Sequence, residues 1–135
     1  MAAAHFAMPL RVRYVECDMQ GRAFNAHYLT WVDMAHMDAM AKIAGGYQVL
    51  VDRGVDLVVA AAELQFRLPA RFDDELMIHV AIEAPGRTSL RSRFEFRRGD
   101  EVIAEATMIH VCVDATTFTK QEWPRWFRDQ LAAAG

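Results

Sequence analysis

Asp18 lies in the segment Tyr14-Val15-Glu16-Cys17-Asp18-Met19-Gln20-Gly21, and Asn25-Ala26-His27-Tyr28-Leu29-Thr30-Trp31 opens a long apolar stretch a few residues later. A carboxylate beside the start of a helix faces backbone N–H groups without intrahelical partners and the positive end of the helix dipole. That pairing suits a reaction in which an oxyanion develops within reach of a carboxylate. The ordinary alternatives are an Asx-turn for Asp18 and a helix N-cap for Asn25, and the residues alone leave both open. Cys17 has no His at a position to activate it, so it is read as a small buried residue. His5, His79 and His110 are scattered, and Cys17 and Cys112 are far apart, so neither set has metal-ligand spacing.

Chemistry of this kind needs a helix to supply the N–H groups and a scaffold to hold it. From about Ala26 to Ala44 the pattern is helical and apolar nearly all round, which predicts a helix wrapped by other elements, and Gly45-Gly46 stops it. Leu10 to Tyr14 alternates as a short strand before it. After a variable segment from Tyr47 to Asp56 the period becomes two. Leu57 to Ala62 is apolar on both faces, and Leu64, Phe66 and Leu68 then alternate with Glu63, Gln65 and Arg67. A strand buried on both faces at one end is expected to meet a second subunit. Leu76, Ile78, Val80 and Ile82 form one face of the next strand, and Pro85-Gly86 turns the chain. Leu90, Phe94 and Phe96 face inward opposite Arg91, Arg93 and Glu95. Arg98-Gly99-Asp100 is a hairpin, Val102 to Val113 a final strand, and Trp123 to Leu131 a short terminal helix. Successive hairpins predict an α+β fold with an antiparallel sheet, whose free edges call for a second copy.

The chain has 135 residues, 53% of them apolar and 24% charged, which fits one domain over residues 1–135. A net charge of −3 gives no global attraction for nucleic acid. No apolar run reaches the length of a membrane span, and the first residues have no signal-peptide pattern. Free cysteines in a cytoplasmic protein are the expectation.

Three segments in order resemble the hot-dog-fold acyl-CoA thioesterases of the 4-hydroxybenzoyl-CoA thioesterase family. The first is Tyr14 through Gly21 with Tyr28, Trp31 and Asp33. The second is Phe66-Arg67-Leu68-Pro69-Ala70-Arg71-Phe72-Asp73-Asp74-Glu75-Leu76. The third runs from Gly86-Arg87-Thr88-Ser89-Leu90 to Glu105-Ala106-Thr107. Together they extend the likeness from about Leu10 to Leu131. It implies a sheet of five or six strands around one long buried helix, homodimers or homotetramers, and active sites at the dimer interface.

The resemblance also implies roles. Asp18 would attack the thioester carbonyl or activate water, and the backbone N–H of Asn25 would polarise that carbonyl. Some relatives carry His where Asn25 stands and Asn where His27 stands, which makes His27 a subsidiary catalytic candidate. Gly21, Tyr28, Val58, Val59, Ala60, Arg87 and Ser89 fall on the substrate side, with Arg87 placed for the phosphates of coenzyme A. His36 stands where many relatives have Arg, three residues from Asp33, so the usual ion pair there is in doubt and a helix-face contact is the structural alternative. Coenzyme A would enter as part of the substrate, or an acyl carrier protein in its place, with no metal or redox cofactor. Two rival readings are a non-catalytic acyl-CoA-binding or assembly protein and a 3-hydroxyacyl dehydratase. The latter needs a catalytic His paired with a carboxylate, for which no convincing match is present.

Overall fold

The computed structural model describes residues 2–135 and contains one antiparallel sheet of five strands in the order β1-β3-β4-β5-β2. The strands are β1 (Ala2–Arg11), β2 (Val55–Phe66), β3 (Glu75–Glu83), β4 (Ser89–Arg98) and β5 (Glu101–Asp114). Helix α1 (Asn25–Ala44) lies across the inner face, α2 (Tyr47–Asp52) follows it, and α3 (Arg125–Ala134) packs on α1 and β1. The sheet curls around α1 in the hot-dog arrangement that the resemblance implies.

Alternation determines which side of each strand meets the helix. Leu76, Ile78, Val80 and Ile82 of β3 and Leu90, Phe94 and Phe96 of β4 are buried, as expected. On α1 the residues Trp31, Val32, Ala35, Ala39, Met40 and Ile43 complete this core. Gly45 adopts a left-handed backbone (φ 91°) and donates its N–H to the Ala41 carbonyl, which ends the helix where the glycine pair predicted.

Four expectations change. The first strand is not Leu10–Tyr14 but Ala2–Arg11, and Tyr14–Glu16 forms a 3₁₀ turn. Pairing with β3 from Ala2↔Glu83 to Arg11↔Glu75 holds the Ala-rich start extended, against its low strand propensity. The segment after Gly46 contains α2, anchored by the fully buried Leu50. Helix α1 is not covered all round: Leu29, Met34 and Met37 keep 39%, 43% and 42% of their surface, because five strands enclose only one side.

The fourth change concerns β2. It pairs with β5 along one side only, and a bulge lies between Val59↔His110 and Ala61↔Ile109. The extra residue, Ala60, reverses the alternation. Leu57 and Val59 share a face with Cys112 and His110, whereas Ala62, Leu64 and Phe66 share it with Met108, Ala106 and Ala104. The run that reads as apolar on both faces is thus partly a change of parity. Val58 and Val59 remain 44% and 48% exposed on this free edge.

Truncating Phe94 to Ala is expected to lower unfolding free energy by about 3–5 kcal/mol, whereas His79→Ala on the exposed face should stay within about 0.5 kcal/mol. Urea unfolding of the two variants beside the wild type checks both.

Candidate functional site

The loop before α1 is organised by a buried carboxylate. Glu16 accepts hydrogen bonds from the Arg13 backbone N–H (2.8 Å), the Arg13 guanidinium (3.1 Å) and the Trp31 indole N–H (2.7 Å). Burial alone would raise its pKa, but these donors outweigh burial and hold the carboxyl below its ordinary value. The Glu16 carbonyl also accepts the Phe24 N–H, so both ends of the Asp18 loop are tied to the same residue. Composition and spacing singled out Asp18 but not Glu16; the local signal was an i, i+3 Arg13–Glu16 pair near a Trp.

Asp18 itself is exposed. Its Oδ1 accepts the Gln20 N–H (2.8 Å), its backbone N–H donates to the Arg22 carbonyl, and its own carbonyl accepts the Gly21 N–H. Gly21 supplies the left-handed residue (φ 73°) that closes this turn. The Asx-turn is therefore present, and it orients the carboxylate. Asn25 is not the N-cap. That position is held by Phe24, whose side chain makes no cap hydrogen bond, and Asn25 is the first helical residue. The helix start accordingly offers backbone N–H groups with no side chain covering them.

Asp18 and Asn25 line one open groove of about 370 Å³ with Arg22, Phe24, Tyr28 and the Phe66–Pro69 segment. The wall formed by that segment is held from two sides. The Ala70 N–H donates to the Tyr28 hydroxyl (3.2 Å), and Arg98 donates to the Pro69 carbonyl (3.0 Å) and to Asp74 (2.8 Å). His27 packs edge-on against Phe24 (centroids 6.2 Å apart) and is not among the groove-lining residues. Cys17 is only partly buried. Burial, then the charges of Asp18, Glu16 and Asp74, push its thiol up, away from the thiolate form.

The remaining candidates lie elsewhere in the chain. The groove adjoins the Arg98 end of β4, and Ser89 begins the opposite end, about 30 Å away by strand geometry. Arg87 precedes Ser89 and pairs with Glu122 (2.7 Å) on the surface. Val58, Val59 and Ala60 occupy the same far end, since Val58 and Ser89 both pair with Val111. A single chain thus brings Asp18, Gly21, Asn25 and Tyr28 together and leaves Val58, Val59, Ala60, Arg87 and Ser89 apart from them.

That far end has a cavity of its own, about 170 Å³, lined by Asp33, His36, Met37, Met40, Tyr47, Leu50, Leu57, Val59 and His110. His36 points inward and stacks on His110, with ring centroids 4.0 Å apart and planes at 18°. No hydrogen bond joins Asp33 and His36 among the described residues. Burial, then His110, lowers the His36 pKa to about 3, and burial lowers that of His110 to about 4. Burial pushes the Asp33 carboxyl up. Among the described residues no cluster of three His, Cys, Asp or Glu side chains could hold a metal ion, and no helix is long and apolar enough to cross a membrane.

The thioesterase-like superfamily matches residues 12–131, a span that includes the groove, the cavity, α1, α2 and most of α3. The chain belongs to this superfamily. It is 27% identical over 121 residues to the acyl-CoA thioester hydrolase YbgC of Escherichia coli O157:H7, covering 89% of this chain and 90% of that one. It is 26% identical over 122 residues to a 1,4-dihydroxy-2-naphthoyl-CoA hydrolase of Synechococcus elongatus, with 89% and 90% covered. The crystal structure of a 1,4-dihydroxy-2-naphthoyl-CoA thioesterase from Synechocystis superposes with a TM-score of 0.85 at 18% identity, covering 95% of this chain and 96% of that one. The shared fold thus extends over 95% of the chain.

The His36–His110 pair makes this superfamily member acid-sensitive in a defined window. Both rings are neutral when folded and bind protons near the ordinary value of 6.5 when unfolded. Their contribution is complete above that value and is lost as pH falls toward 4 and then 3. The melting temperature of the wild type is expected to drop more steeply across this window than that of His36→Phe/His110→Phe, as measured by calorimetry over a pH series.

Proposed function

We propose that this protein hydrolyses an acyl-CoA thioester to free acid and coenzyme A, with Asp18 as the reacting carboxylate. Membership of the thioesterase-like superfamily supports the reaction class, and the activities of the relatives named above point to coenzyme A as the thiol. One observation carries the site: the Asp18 carboxylate and the uncapped first turn of α1 line the same groove. A thioester carbonyl placed there meets the Asn25 backbone N–H, which favours the oxyanion of the tetrahedral state. Asp18 then acts in one of two ways. It adds to the carbonyl carbon, expelling the thiolate and leaving a mixed anhydride that water cleaves, or it takes the proton of a water that adds instead. Gly21 closes the turn that aims Asp18, and Tyr28 holds the Ala70 wall. His27 has no step in this scheme.

The site is completed by a second copy. The free β2 edge is long, apolar and charge-poor from Leu57 to Ala62, which leaves backbone groups unpaired unless another strand covers them. Antiparallel pairing of two β2 strands sets the Phe66 end of one copy beside the Val55 end of the other. The groove at Phe66–Pro69 then adjoins the far end of its neighbour, where Val58, Val59, Ala60, Arg87 and Ser89 reside. This arrangement gives Arg87 a place beside the coenzyme A phosphates, reached by releasing Glu122. Two such dimers can associate further into a tetramer. Unpaired Cys17 and Cys112 fit a reducing, cytoplasmic setting.

Thiol release from a panel of acyl-CoAs, and from acyl groups on carrier protein, tests the reading. Asp18→Asn is expected to lower kcat/KM by at least about 100-fold, near 2.7 kcal/mol of barrier, while leaving the fold intact. Unchanged activity would remove Asp18 from the mechanism. Folded wild type that binds coenzyme A thioesters without releasing thiol would make this a binding protein instead. Activity confined to the carrier-bound panel would replace coenzyme A as the thiol.

Val58→Lys/Ala61→Lys places two charges on the free strand edge and is expected to yield monomers with little activity. Sedimentation together with the thiol assay decides whether the second copy is required.

A further inference from the structure

Asp18 and the first turn of α1 share a groove, yet the loop between them has little of its own to fix their separation. From Asp18 to Asn25 every residue except Ala23 is exposed, and Met19 is wholly so. The hydrogen bonds around Asp18 close within the loop, so they orient its carboxylate without tying it to the helix. A carboxylate that meets a carbonyl held by helix N–H groups needs that separation kept closely, since a shift of about 1 Å can cost about 100-fold in rate.

The tie to the helix is made beneath the loop. Trp31, on the second turn of α1, is fully buried and donates its indole N–H to Glu16 Oε2 (2.7 Å). Its ring is held by Tyr28 and Phe96, with centroids 5.0 and 6.4 Å away, so the indole does not follow a moving loop. Glu16 is 4% exposed, and Arg13 supplies its other donors. An ionised carboxylate only accepts, and its two oxygens take all these donors at once. From Glu16 the constraint passes to both ends of the loop. Its carbonyl accepts the Phe24 N–H (2.8 Å) just before Asn25, and Cys17 pairs with Ala23 in an antiparallel bridge just before Asp18.

From this arrangement we infer that Trp31 is a positioning residue for the reaction at Asp18: acting through Glu16, its indole N–H fixes the distance between the Asp18 carboxylate and the N–H groups that open α1. The inference rests on the proposed thioester hydrolysis and adds to it a residue too deeply buried to touch the substrate. The indole–carboxylate link is a strut between the part of the site that attacks and the part that polarises.

Two variants break the strut from opposite ends. Trp31→Phe keeps a ring in the core and removes the donor. Glu16→Gln keeps the shape and turns an amide N–H₂ toward one of the donors. Each is expected to lower kcat for an acyl-CoA by about 10-fold or more while KM stays within about twofold. The combined variant should be within about twofold of the worse single one, because both changes cut one link. A merely structural role would lower the melting temperature and leave the kcat of the folded protein unchanged. A second measurement needs neither turnover nor a variant. In wild-type hydrogen exchange, the Asp18 and Phe24 amides should be protected to within about 10-fold of the Trp31 indole N–H, as parts of one opening unit. Folded, active variants that keep kcat would overturn the positioning role while leaving hydrolysis intact. So would Asp18 and Phe24 amides that exchange at free-peptide rates beside a protected indole. A wild type that releases no thiol from any acyl-CoA would sink the hydrolytic reading itself, and the positioning role with it.

Discussion

Glu16 is the residue on which the arrangement of the site depends. Its carboxylate is taken out of water between Arg13, two residues past β1, and the helix at Trp31, and its carbonyl receives Phe24 just before α1. Such a burial is tolerable only because every donor is supplied. Removing the carboxylate would strand the Trp31 indole N–H in the core, at a cost of about 1–3 kcal/mol. The Asp18 loop is thus a short span between fixed points, and its exposed carboxylate has little freedom to wander. Tyr28, three residues before Trp31, performs a similar service for the opposite wall of the groove by receiving the Ala70 N–H. The first two turns of α1 therefore anchor both sides of the site.

Curling five strands around one helix leaves two debts unsettled. One is the unpaired edge of β2; the other is the stripe of Leu29, Met34 and Met37 that the sheet does not reach. Met37 and Val59 line the same cavity, so the edge and part of the stripe form a continuous surface. A second copy covering the edge would also cover this stripe. The unpaired edge and the separation of the candidate residues within one chain then have a common origin in the shape of the sheet.

Much of this was legible in the amino-acid order because it depends on local rules. The apolar spacing of α1, its glycine stop, the alternation of β3 and β4 and the Arg98-Gly99-Asp100 hairpin each follow from neighbours in sequence. Asp18 and Asn25 were found through their position before a helix. What the amino-acid order does not reveal depends on distant partners. Ala2–Arg11 is a strand only because Glu75–Glu83 pairs with it, and Ala-rich sequence gives no hint of that. The N-cap passed from Asn25 to Phe24 because the Glu16 carbonyl takes the Phe24 N–H and sets where the helix begins. His36 and His110 belong to elements far apart in the chain, so nothing in either segment announces their stacking.

The bulge at Ala60 divides β2 into two halves that answer to different demands. Ahead of it, Leu57 and Val59 face α1 and form cavity wall; beyond it, Ala62, Leu64 and Phe66 do so and lead into the groove. Loss of that one residue would force one half to rotate, exchanging Val58 for Val59 at the cavity or Glu63 for Leu64 beneath the helix. The extra alanine acts as a phase insulator. It lets substitutions at the cavity end accumulate in evolution without turning the groove end of the same strand inside out.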